Sequence, residues 1–77
     1  MSVAPKERIQ QAFGDSLRSA RLDAELSQEE LAHRAKLDRS YVGSVERGER
    51  NISLENIVKL SRALEISLAD LFADFDP

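Results

Sequence analysis

Four side chains between residues 39 and 47 can do chemistry together: Arg39, Ser40, Ser44 and Arg47. All are hydrogen-bond donors, and the two arginines are permanently cationic. Donors of this kind suit the acceptors of a nucleobase edge or a phosphate. If this stretch winds as a helix at about 100° per residue, Val42, Val45 and Glu46 share one side. Ser40, Gly43, Ser44 and Arg47 fall on the other, with Arg39 and Tyr41 on the flanks. The valines must face a core, so the side turned away is bare, with small residues in its middle and arginines around them. Small side chains let a helix backbone approach another surface closely, and a helix of this shape fits the major groove of duplex DNA. A solvated helix of any small bundle also carries a short polar face, so the face alone does not choose.

Other chemistries have less to stand on. With no cysteine and one histidine, His33, neither a disulfide framework nor a zinc site is expected. His33 sits on a polar helix face and reads as a solvated surface residue. No Gly-rich phosphate loop, nucleophile elbow or metal-spaced histidine pair is present. No catalytic residue, metal or cofactor is therefore expected. No apolar run is long enough to span a bilayer, and "MSVAPKERIQQ" lacks the apolar middle of a secretory signal. The expectation is a soluble cytoplasmic protein. The net charge of −3 argues against a nucleic-acid binder at first sight, but its distribution does not. Residues 1–50 hold nine Lys/Arg and nine Asp/Glu, whereas residues 51–77 hold two against five. The acidity is concentrated in the C-terminal third.

Elements that position these residues follow from a helical period that runs through almost the whole chain, with no alternation of strand type. A first helix is expected over residues 6–23, after Pro5, with Ile9, Phe13, Leu17 and Ala20 facing inward. Gly14 inside it costs about 1 kcal/mol against alanine, a point where the helix is expected to bend or start weakly. Ser27 and Glu30 form a capping box for a second helix ending near Lys36, with Leu31, Ala32 and Ala35 inward. Asp38 caps a third over 39–47, and Gly48 stops it in a left-handed conformation. Ser53 caps a fourth, carrying Leu54, Ile57, Val58, Leu60 and Leu64. Ser67, with Asp70 three residues on, opens a fifth that carries Leu68, Leu71, Phe72 and Phe75. The chain, at 77 residues, suits one small domain whose core stabilises only marginally, so an oligomer contact would help.

Two short helices with a tight turn between them, and Ala32 where they cross, make a helix-turn-helix arrangement. The run "LSQEELAHRAKLDRSYVGSVERGERNISLENIVKLSRALEISLADLF" resembles the helix-turn-helix family of phage repressors and Cro proteins. Within it, "LDRSYVGSVERGERN" is most similar to the controller proteins of bacterial restriction–modification systems. The similarity covers roughly residues 13–75. It implies that Gln28, at the start of the second helix, holds a phosphate. It implies that Arg39, Ser40, Tyr41 and Arg50 lie at the DNA, with Ser44, Arg47 and Asn51 beside them. Many members carry glycine where this chain has Lys36, which puts strain on that turn if it is left-handed. The resemblance also pairs Glu46, which the helical wheel turns inward, with Arg21 of the first helix.

The expectation is thus an all-α, five-helix bundle of the lambda-repressor type, one domain over residues 1–77. Its expected function is sequence-specific recognition of double-stranded DNA in transcription regulation, most similar to a restriction–modification controller. A phage-type repressor, an autoregulating antitoxin, and a protein-interaction module that keeps the core without binding DNA are the alternatives. The partners implied are an operator, a second copy of the chain and, for an activator, RNA polymerase. One recognition helix makes too few base contacts to select a site in a genome. Two related by a two-fold axis would enter successive major grooves about 34 Å apart. Residues 65–77 are expected to contribute the dimer surface through Leu68, Leu71, Phe72 and Phe75. In this reading Leu68 and Leu71 face the domain's own core, and Phe72 or Phe75 meets the partner. The other reading makes all four intramolecular.

Overall fold

Small polar residues start four of the five helices. In the computed structural model, which describes residues 5–77, the order is α1 (Pro5–Asp23), α2 (Gln28–Ala35), α3 (Arg39–Glu46), α4 (Leu54–Leu64) and α5 (Leu68–Leu71). Residues 1–4, part of the stretch read above for a secretory signal, lie outside the described residues. Ser27, Asp38, Ser53 and Ser67 accept the backbone N–H groups of Glu30, Ser40, Asn56 and Asp70. Each cap satisfies a donor that the first helical turn leaves without a partner. At Ser27 the capping box is complete, because the Glu30 carboxylate accepts the Ser27 N–H in return at 2.9 Å.

The first four helices also stop in one way. Glu25, Lys36, Gly48 and Glu65 have φ of 59°, 59°, 76° and 57°. The residue after each returns its N–H to a carbonyl five positions back: Leu26 to Arg21, Leu37 to Ala32, Glu49 to Ser44 and Ile66 to Ser61, at 2.9–3.1 Å. This closure consumes carbonyls that a helix end would otherwise leave open. In three of the four the returning residue is apolar and turns back toward the core. Lys36 thus takes the left-handed conformation that disfavours a side chain.

Helix α3 packs against α1 and α2, α2 packs on α4, and α5 closes against α1 and α4. Leu17, Leu31, Val42, Val45 and Leu60 are fully buried at the centre. Ala32 and Ala35 are buried in the inner face of α2, where their size lets α2 lie close to its neighbours. The stripe expected on α1 holds for Phe13 and Leu17, but Ile9 is 48% exposed.

Gly14 is not a weak point. α1 runs through it without interruption. The glycine lies where the α1 backbone meets the end of α3: a Cβ there would stand 2.6 Å from the carbonyl oxygens of both Val45 and Glu46. Both obstacles are backbone, so the two helices would have to part. Gly14→Ala is therefore expected to destabilise the fold by about 2 kcal/mol through overpacking, although alanine favours a helix by about 1 kcal/mol. Urea melts give the sign; a more stable variant would show that the crossing is not tight.

Candidate nucleic-acid interface

Carboxylate Glu46 is the joint of this surface. It sits at the C-terminal end of α3, on the inner side beside Val42 and Val45, and is buried. The Arg21 guanidinium meets it with two hydrogen bonds, Nε to Oε2 at 2.7 Å and Nη2 to Oε1 at 3.0 Å. A third donor, Nη1, goes to the Leu26 carbonyl at 2.9 Å. Glu46 Oε1 also accepts from Gln28 Nε2 at 3.0 Å. The hydrogen bonds to Glu46 hold the Arg21 proton more firmly than usual, outweighing the opposing effect of burial. Arg21 from α1, Gln28 from α2 and Glu46 from α3 form one network. It satisfies the expected Arg21–Glu46 pairing. It also fixes one N–H of the Gln28 amide and leaves the other available to an outside acceptor.

On the outer side, Arg39 and Ser40 are exposed at the start of α3. Arg39 and Gln28 line one shallow cleft between the beginnings of α2 and α3, so the structure brings these two expected residues together. The Ser40 hydroxyl donates to Asp38 Oδ1 at 2.8 Å, and the Ser40 N–H reaches the same atom at 2.9 Å. These two bonds, the hydroxyl first, pull the Asp38 carboxyl below its ordinary range.

The middle of the outer side departs from expectation. Gly43 and Ser44 are buried, not bare. Long side chains from α2 and from the residues after α3 lie over them. The Arg47 guanidinium and the Gln28 amide cover Gly43, whose Cβ would meet Arg47 Nη1 at 3.2 Å and Gln28 Oε1 at 3.3 Å. Ser44 donates its hydroxyl to the Tyr41 carbonyl at 2.8 Å and accepts from Arg50 Nε at 3.2 Å. The Arg50 guanidinium lies 5.6 Å from the centre of the Tyr41 ring, within range of a cation–π attraction. The Tyr41 hydroxyl accepts from Asn56 Nδ2 at 3.1 Å. Ser44 therefore supports Arg50 rather than facing outward itself. Asn51 is exposed in the turn that follows.

Two residues of this surface went unread in the sequence. Asn56, on α4, braces Tyr41 from fifteen residues away, and no local pattern announces such a contact. Glu49 takes Arg47 in a two-pronged ion pair, Nε to Oε2 at 3.0 Å and Nη2 to Oε1 at 3.1 Å. The bonds raise the arginine's pKa and lower that of Glu49. The repeated "ER" of "ERGER" was the available sign. His33 is exposed on α2. Among the described residues no group of side chains is arranged to hold a metal ion, and no helix is long and apolar enough to cross a membrane.

Residues 17–71 match the family pattern described as helix-turn-helix. The chain belongs to the helix-turn-helix family. It is 45% identical over 65 residues to the control protein C.MunI of a Mycoplasma species, a match that covers 83% of this chain and 88% of the relative. Among solved structures it is similar to the restriction–modification controller protein C.AhdI from Aeromonas hydrophila. That likeness has 56% identity and a TM-score of 0.79, covering 82% of this chain and 96% of the other. A further likeness, at 28% identity and a TM-score of 0.79, is to the controller C.Esp1396I, a tetramer in complex with its natural 35 base-pair operator. It covers 84% of this chain and 86% of that one.

The family shares its scaffold, so the Glu46 network can be tested apart from any ligand. Glu46→Ala strands a buried arginine and frees Gln28; the expected loss of stability is about 3 kcal/mol. Thermal melts check it. An unchanged melting temperature would remove Glu46 from the structural network.

Proposed function

We propose that this protein is a sequence-specific, double-stranded-DNA-binding transcription regulator that acts as a homodimer on inverted half-sites, controlling a restriction–modification system. The observation that carries the reading is the convergence of Gln28, Arg39 and the exposed face of α3, with Gln28 anchored through Glu46 to the core. Gln28 and Arg50 supply donors to phosphates, and Arg39, Ser40, Tyr41 and Arg47 stand where base edges would be read. Asn51 and the Arg50 supported by Ser44 complete the surface beyond α3. The likeness to the control proteins C.MunI, C.AhdI and C.Esp1396I supports the regulatory role. RNA polymerase enters the reading as the partner of an activating dimer, and the bacterial cytoplasm is where such an operator lies.

The residues expected at the assembly surface divide between the core and the exterior. Leu71 is 2% exposed and belongs to the core. Phe72 packs on Phe13 with ring centres 5.5 Å apart, and Phe75 meets Phe72 edge-on at 5.2 Å. Both are half-buried, and both follow α5 rather than lying in it. Leu68, expected inward, is 40% exposed because α5 has turned Leu71 toward the core instead. Leu54 is 71% exposed, and Val58 lies one turn further on the same flank of α4. The dimer contact in this reading uses Leu68 with the open edges of Phe72 and Phe75, and Leu54 with Val58 offers a further apolar patch.

Two measurements test the proposal. In gel shifts against an operator selected from random duplexes, Arg39→Ala should weaken binding by about 1–3 kcal/mol and relax base choice at one position per half-site. Equal losses on operator and random DNA would make Arg39 a phosphate contact instead. Sedimentation at tens of micromolar should give a dimer. A monomer, still single on a symmetric site, would defeat the assembly.

A further inference from the structure

Among the described residues, Glu49 is a carboxylate outside the core that grips an arginine of the proposed DNA-facing surface. Its partner, Arg47, is solvent-exposed. The guanidinium is laid back along α3 across Gly43, and the Gln28 amide covers the same glycine. Glu49 holds the opposite edge through Nε and Nη2. The side chains are 61% and 56% exposed, so water screens the pair and it opens readily. Nothing in the fold needs it: the Glu49 backbone is already fixed by its own N–H to the Ser44 carbonyl at 2.9 Å. The restraint acts on the arginine, not on the helix.

We propose that Glu49 is a specificity-setting residue, which masks Arg47 on generic DNA while leaving its Nη1 edge positioned for a cognate site. The inference rests on the DNA-binding reading above. A lysine or arginine adds to sequence-independent affinity by neutralising a phosphate and releasing the counterion condensed there. An arginine whose charge is cancelled by a carboxylate two residues away releases none. The carboxylate itself, between Arg47 and Arg50, also repels phosphates that approach without the correct geometry. At a cognate site the surfaces meet in one register, and the pinned guanidinium still has N–H groups free on Nη1 and Nη2. It can donate these without leaving Glu49. Generic DNA offers no such fixed acceptor and would have to pull Arg47 away. The carboxylate therefore weakens binding to random sequence more than binding to the operator. It raises the ratio between the two, which is the quantity that governs site selection in a genome.

The experiment compares the full wild-type chain with Glu49→Gln. Each is titrated by fluorescence anisotropy against its selected operator duplex and a random duplex of equal length, across a salt series. Glutamine keeps the size and removes the charge. Random-duplex affinity is expected to rise about three- to tenfold at moderate salt, with a salt dependence steeper by about one counterion per protomer. Operator affinity should rise less, so the specificity ratio falls. In an Arg47→Ala background the same Glu49→Gln change should lose most of its effect, because the arginine it releases is gone. Equal gains on both duplexes, or a full gain without Arg47, would reduce Glu49 to bulk surface charge and overturn the proposal. No gain on random DNA would overturn it as well. A wild-type chain that binds neither duplex is a different result: it removes the DNA-binding reading, and this inference falls with it.

Discussion

The Arg21–Glu46 pair is the constraint on which the rest of the molecule depends. A buried ion pair gains little over a well-packed apolar pair of the same volume, because both charges must leave water. What it adds is direction. An apolar contact tolerates sliding, whereas a two-pronged bond from a planar guanidinium to a carboxylate fixes distance and orientation together. Here one carboxylate receives α1 through Arg21 and α2 through Gln28, while Arg21 also clasps the Leu26 carbonyl in the connection between them. The position of α3 relative to two other helices is thus set at a single side chain. Among the described residues no buried side-chain nitrogen or oxygen lacks a partner, so the network carries its charge without an orphaned group.

The outer surface inherits this order. Small residues in α3 do not leave an empty face; they make a seat on which longer side chains lie flat. Arg50 rests on Ser44 and the Tyr41 ring, Arg47 spans Gly43, and Gln28 reaches across from α2. Each is held by a bond to another element or another turn. Donors arranged before a ligand arrives lose less conformational freedom on binding. The same seat explains why the total charge of the chain is a poor guide. The acidic excess belongs to the C-terminal third, while Arg39, Arg47 and Arg50 lie at or next to α3.

Much of this was legible in the sequence where local chemistry decides it. The caps at Ser27, Asp38, Ser53 and Ser67, the stop at Gly48 and the burial of Val42 and Val45 all follow from patterns a few residues long. The inward Glu46 followed from the helical wheel, and its partner from the resemblance to phage repressors. Readings failed where the answer lay in another part of the chain. Gly14 looks like a defect in α1 until the backbone of α3 is laid against it. Ser44 looks exposed until Arg50 folds back. Leu68 and Leu71 are three positions apart on a helix so short that periodicity could not say which one turns inward. The left-handed stops at Glu25 and Glu65 carry no residue sign except the apolar residue that follows each.

A helix of four residues cannot hold itself together in water, because the cost of its first turn exceeds what its few bonds return. α5 therefore exists by virtue of what it leans on: Leu71 in the core, and Phe72 against Phe13, fifty-nine residues earlier in the chain. That ring contact joins the two ends of the described fold. The C-terminal turn and the middle of α1 are thereby packed as one unit. A second protomer seated on Leu68 and the open edges of Phe72 and Phe75 would hold that unit shut. Order at the end of the chain and association between copies would then rise and fall together.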